Sequence, residues 1–179
     1  MTNENKELID KIKSKLVKKD DTYTITISKK DYTFKILNTE EMLATYELAK
    51  ATKIDEDMLM CIKSITNVSE TDLMDLKESV MNVLLAAILV VYSLDEDTNT
   101  KELDNGNTEL KYLDYVFELK ELTAIEARRL EKDSNKYSKV LKSIVSPSIT
   151  EDEFKKLPAN VSMKLYTALR DISEAPDFF

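Results

Sequence analysis

The sequence predicts a mainly α-helical protein with a small β component. It is read as duplicated strand-plus-helices units forming a compact helical domain or two lobes. Three observations carry that expectation. Leu73, Leu76, Val80, Leu84, Ile88 and Val91 recur at steps of three and four, so they share one helical face. That stretch opens on Ser69 and Asp72, spaced as a capping box, with Val68 and Leu73 placed as a hydrophobic staple. The arrangement then returns: Ile149 and Phe154 take the staple, Thr150 and Glu153 the box, and Leu157, Val161, Leu165, Leu169 and Ile172 the face. Glu70/Glu151, Leu76/Leu157, Val80/Val161, Leu84/Leu165 and Ala87/Ala168 are identical, which favours a true repeat.

Residues 1–20 read as an N-terminal amphipathic helix or arm, with Leu8, Ile12 and Leu16 on one face. Residues 21–93 form the first repeat. Tyr23, Ile25 and Ile27 alternate with threonines, and Tyr32, Phe34 and Ile36 resume the alternation, so 22–37 is expected to be a β-hairpin around Ser28-Lys29-Lys30-Asp31. Asn38 and Glu41 form a capping box with Leu37 and Met42 as its staple, and the helix that follows packs Met42, Tyr46 and Ala49. Asp55 caps the next helix, with Met58, Leu59, Ile62 and Ile65 inward.

Residues 94–109 read as an exposed acidic linker that could hold a short hairpin at Asn105-Gly106. The second repeat spans 110–175. Tyr115, Phe117 and Leu119 face one side of a strand, and Asp114-Tyr115-Val116-Phe117 matches Asp31-Tyr32-Thr33-Phe34. Thr123 and Glu126 cap a helix carrying Leu130, Tyr137, Val140, Leu141 and Ile144, which Pro147 ends. Leu141-Lys142-Ser143-Ile144 matches Ile62-Lys63-Ser64-Ile65. Pro158 suits the first turn of a helix, so the second copy breaks there, and by analogy the first should bend near Leu76-Lys77. Residues 176–179, Pro176-Asp177-Phe178-Phe179, form a C-terminal tail.

A net charge of −8 and a pI near 4.8 argue against binding nucleic acid or an anionic membrane through bulk charge. The apolar run Val83–Tyr92 is half the length of about twenty residues that a bilayer span needs. The polar, mixed-charge start does not read as a signal peptide. With one cysteine, Cys61, no disulfide forms within the chain, and its neighbours Met58, Leu59, Met60 and Ile62 mark it as a buried hydrophobe.

No histidine removes the His-based triad, general base and metal ligand, and a single glycine removes phosphate-binding glycine loops. The carboxylate groups Glu40-Glu41 and Asp95-Glu96-Asp97 lack an apolar setting that would tune them for acid–base work. Asp95, Asp97 and Asn99 start like a calcium loop, but Thr100 and Gly106 stand where Gly and Glu are required. Lys18-Lys19 and Arg128-Arg129 lack interleaved aromatics and read as solvated helix faces. The chain is therefore expected not to be an enzyme, with no catalytic, cofactor-binding or metal-ligating residue and no cofactor.

Several stretches resemble the tail assembly chaperones and baseplate-assembly proteins of tailed bacteriophages. They are Tyr32-Thr33-Phe34-Lys35-Ile36-Leu37 before a capped helix, Ile62 through Leu73, Phe117-Glu118-Leu119, Leu122-Thr123 with Glu126, and Pro147-Ser148-Ile149-Thr150 with Leu157-Pro158. The chain lacks the cysteine cluster of some baseplate relatives, which excludes a zinc-bearing version. The resemblance implies a non-enzymatic assembly protein that binds a tape-measure or baseplate hub protein as a chaperone. Two alternatives stand beside it: a permanent structural subunit of the baseplate or tail tip, or a small regulatory protein that sequesters a host enzyme. The implied location is the cytoplasm of the infected bacterial host, or the virion. Partners are expected to be proteins, including further copies of the chain, with no nucleic acid and no membrane. Val83–Tyr92, apolar nearly all round, and the tail Pro176–Phe179 are the expected contact surfaces.

Overall fold

A computed structural model of the chain describes residues 3–93, 98–133, 135 and 137–173. The chain divides into two compact units, Met1–Leu94 and Asp95–Phe179.

The first unit runs α1 (Asn3–Lys13), β1 (Val17–Lys19), β2 (Thr22–Ile27), β3 (Lys30–Lys35), α2 (Thr39–Thr52), α3 (Glu56–Ser64), α4 (Glu70–Met74) and α5 (Glu78–Ser93). Its three strands form an antiparallel meander in chain order. The register sets Tyr23 opposite Phe34 and Ile25 opposite Tyr32, and all four side chains are buried. This is the period-two alternation put to use: one face meets α5, and Thr24 and Thr33 share a hydrogen bond on the other. α1 packs on α5 through Ile12, so it belongs to this core.

The β2–β3 turn is tight: Ile27 pairs with Lys30, leaving only Ser28 and Lys29 between the strands. Both have positive φ, 51° and 67°, the conformation that Asn-Gly adopts most cheaply. In a chain with one glycine, ordinary residues carry that strain. Ser28→Asn with Lys29→Gly should therefore stabilise the protein by about 1 kcal/mol in urea denaturation. An unchanged or lower midpoint would show that the turn is unstrained.

The second unit runs β4 (Asn99–Glu102), β5 (Thr108–Tyr112), β6 (Tyr115–Leu119), α6 (Ala124–Leu130), α7 (Ser138–Ser143), β7 (Ile144–Ser146), α8 (Glu151–Lys156) and α9 (Ala159–Ser173). The strands form a four-stranded antiparallel sheet in chain order. Leu110, Tyr112, Phe117, Leu119 and Ile144 are buried on its inner face, and α9 packs on β5. Phe154 of α8 is fully buried, edge-on to Tyr137 at 5.6 Å and to Tyr166 at 6.1 Å. Tyr112 Oη accepts from the buried amide of Asn160 at 3.2 Å, so this core contains a satisfied polar pair.

Two antiparallel sheets make this a mixed α/β protein, and the expectation of a mainly helical chain with a small β component is corrected. Three short strands produce the difference. β1 and β4 are exposed along their whole length and carry no alternation; they are ordered by hydrogen bonding to β2 and β5. Residues 99–109, read as part of a linker, are thus β4, the Asn105-Gly106 turn and the start of β5. β7 takes Ile144, expected in a helix, into a sheet.

The single helix expected from Thr123 to Ile144 is two, α6 and α7. Asp133 and Asn135 break it by bonding locally: Asp133 Oδ1 accepts from Asn135 N, and Asn135 Oδ1 accepts from Tyr137 N. Short polar side chains that capture nearby N–H groups compete with the helical ladder. The break between α4 and α5 falls at Asp75–Lys77, and Pro158 O accepts the first bonds of α9.

With α1 of the first unit and β7 of the second set aside, both units run three strands, two helices, a short capped helix and a long helix. After α3, Ile65 bridges to Phe34 of β3; after α7, Ile144 pairs with Leu119 of β6.

Candidate functional site

The run Val83–Tyr92 lies in α5, the central helix of the first unit. Leu84, Ala87, Ile88, Val90 and Val91 are buried against α1, α3 and the sheet, and only Leu89 is mainly exposed. A helix that is apolar all round is here a core helix, so this run offers no continuous surface to a partner. The tail Pro176–Phe179 lies outside the described residues, as do Asp95, Glu96 and Asp97. Asn99 and Thr100, the rest of the calcium-like stretch, are paired in β4 with Lys111 and Leu110. Among the described residues no group of three acidic or cysteine side chains could hold a metal ion.

The shifted carboxylates have structural work. Burial raises the Glu41 carboxyl, but the Lys35 ammonium at 2.8 Å and the Asn38 N–H outweigh it and hold it below the ordinary value. Glu126 and Glu153 are held low by the N–H and hydroxyl of Thr123 and of Thr150, the reciprocal halves of two capping boxes. Glu118 is held low by the side-chain amides of Asn107 and Asn105, which it ties to the β4–β5 turn. Cys61 is fully buried, and burial pushes its thiol up to about 12.

These directions fix a pH response. A carboxylate whose folded pKa is depressed stabilises the fold above its unfolded value, and that contribution is lost as pH falls through the folded pKa. With no histidine, none of the side chains with a resolved shift changes charge near neutrality. The melting temperature should be flat between about pH 6 and 8 and should fall once the pH drops below the ordinary glutamate value of 4.5. A slope near pH 7 in a thermal scan series would contradict this.

A groove of about 340 Å³ lies over α2. Leu37, Ala44, Thr45 and Leu48 line it, with Lys35, Glu41 and Lys63 at its edges. Capping fixes its wall: Asn38 and Glu41 form the reciprocal box that starts α2, and Lys35 ties Glu41 to the end of β3. Ala44 and Leu48 are exposed, at helical spacing i and i+4. Lys63 on the far edge pairs with Glu70 at 2.6 Å. The volume suits one or two apolar side chains inserted by another protein, with ion pairs around the entrance. The sequence signalled the cap but not the groove: Met42, Tyr46 and Ala49 mark the inward face of α2, and nothing in the spacing singles out Leu48.

Comparison with family models, with curated proteins and with solved structures finds no match.

Proposed function

We propose that this chain is a non-enzymatic assembly protein of a tailed bacteriophage that binds a tape-measure or baseplate hub protein as a chaperone. The observation that carries the binding reading is the groove over α2, where Leu48 lies 41% exposed at the end of an apolar strip bordered by paired charges. The non-enzymatic reading is supported by what the carboxylates and the thiol do: the shifted acids hold caps, turns and ion pairs, and Cys61 is kept protonated inside the core. The partner's identity rests on the sequence resemblance, whose residues include Tyr32–Leu37 leading into α2 and Ile62–Leu73 leading into α4.

Co-expression with the tape-measure protein of the same phage genome tests the proposal. The tape-measure protein should stay soluble and co-purify with the chain. Leu48→Asp should abolish that while shifting the melting temperature little, since Leu48 is partly exposed already. A tape-measure protein equally soluble without the chain would sink the chaperone reading. Recovery of the chain from purified particles would instead assign it to the baseplate or tail tip as a permanent subunit.

A further inference from the structure

We infer that the outer face of α6 docks an acidic segment of a partner protein, an inference that rests on reading the chain as a protein-binding molecule. α6 buries none of its residues fully. Its half-buried positions, Glu126, Ala127 and Leu130, fall on one side, where Glu126 faces the ammonium groups of Lys120 and Lys142. The opposite side presents Ile125, Arg128 and Arg129, spaced i, i+3 and i+4, all exposed. Ile125 is 65% exposed, equal to the highest value among the large apolar side chains of the described residues. Lys132, just past the helix, continues the row and is exposed.

Among the described residues the side chains of Arg128, Arg129 and Lys132 have no ionic partner, whereas the nearby Glu131 is taken by Lys139 at 3.1 Å. Two of the chain's three arginines therefore flank one exposed isoleucine, in a molecule whose net charge is −8. Arginine forks bind carboxylates in pairs, and arginine beside a desolvated apolar contact is typical of interface anchors. Charge complementarity selects a carboxylate-rich occupant. The aliphatic centre and the absence of an aromatic on this face favour a protein segment over nucleic acid.

The test uses the full chain and a fluorescein-labelled synthetic peptide of glutamate and leucine at helical spacing, with a lysine–leucine peptide and single-stranded oligothymidylate as controls. The acidic peptide should bind saturably and lose affinity as salt rises. Arg128→Glu with Arg129→Glu should weaken it by about tenfold or more. Ile125→Ser should also weaken it, and both variants should melt as the parent does. Absence of saturable binding, equal binding by both variants, or stronger capture of the oligonucleotide through the same residues would overturn the inference. The outcome is separable from the chaperone test. A chain that solubilises its tape-measure protein but ignores the peptide loses only this surface. A chain that binds the peptide through α6 but not the tape-measure protein loses only that partner.

Discussion

Leu84→Asp and Leu165→Asp should each unfold the unit that contains the substitution. Both leucines are fully buried, Leu84 at the centre of α5 and Leu165 in the middle of α9. A carboxylate at either position is taken out of water, so it either ionises at high cost or forces the helix away from its sheet. The penalty is several kcal/mol against a total stability of about 5–15 kcal/mol for a domain. Circular dichroism during urea titration reads the result directly. A parental midpoint for either variant would mean that its helix face is not packed as described.

Tyr92→Phe should cost about 1–3 kcal/mol, although it removes a single oxygen. Tyr92 Oη accepts from the backbone N–H of Leu37 at 2.8 Å and lies 3.3 Å from Ser64 Oγ. One hydroxyl therefore fastens the end of α5 to the β3–α2 connection and to α3. Leu37 and Ser64 are buried, and removing the oxygen leaves a donor without water to replace it. Burial also pushes the phenol up, with the two hydrogen bonds opposing. Tyr92 should thus stay protonated when exposed tyrosines ionise. A loss of only a few tenths of a kcal/mol in the phenylalanine variant would show that solvent reaches the Leu37 N–H.

What could be read in the sequence was local. The boxes at Asn38/Glu41, Thr123/Glu126 and Thr150/Glu153 each depend on two side chains three residues apart, and each is present. Ser69/Asp72 is half a box. Ser69 accepts from Asp72 N, but no return bond from the Asp72 side chain completes it; aspartate is one methylene shorter than the glutamate of the other three. What could not be read depended on distant partners. Val17-Lys18-Lys19 and Asn99–Glu102 become strands only because β2 and β5 offer free edges to them. The apolar run in α5 looked like surplus surface because its length was visible but the sheet, α1 and α3 packed around it were not. The α6 face was read as solvated; its exposure agrees with that reading, while its lack of ionic partners needed coordinates.

The far edge of the first sheet is closed by a side chain. Asn67 Oδ1 accepts from Thr33 N and its Nδ2 donates to Asp31 O, while Thr66 N and Oγ1 both donate to Thr33 O. The carboxamide reproduces, on one residue, the donor–acceptor pair of a neighbouring strand, the place that β7 fills with backbone in the other unit. An edge satisfied in this way offers no template for a stranger's chain. Asn67 therefore blocks strand addition along β3: a chain pairing at that edge would first have to dislodge it.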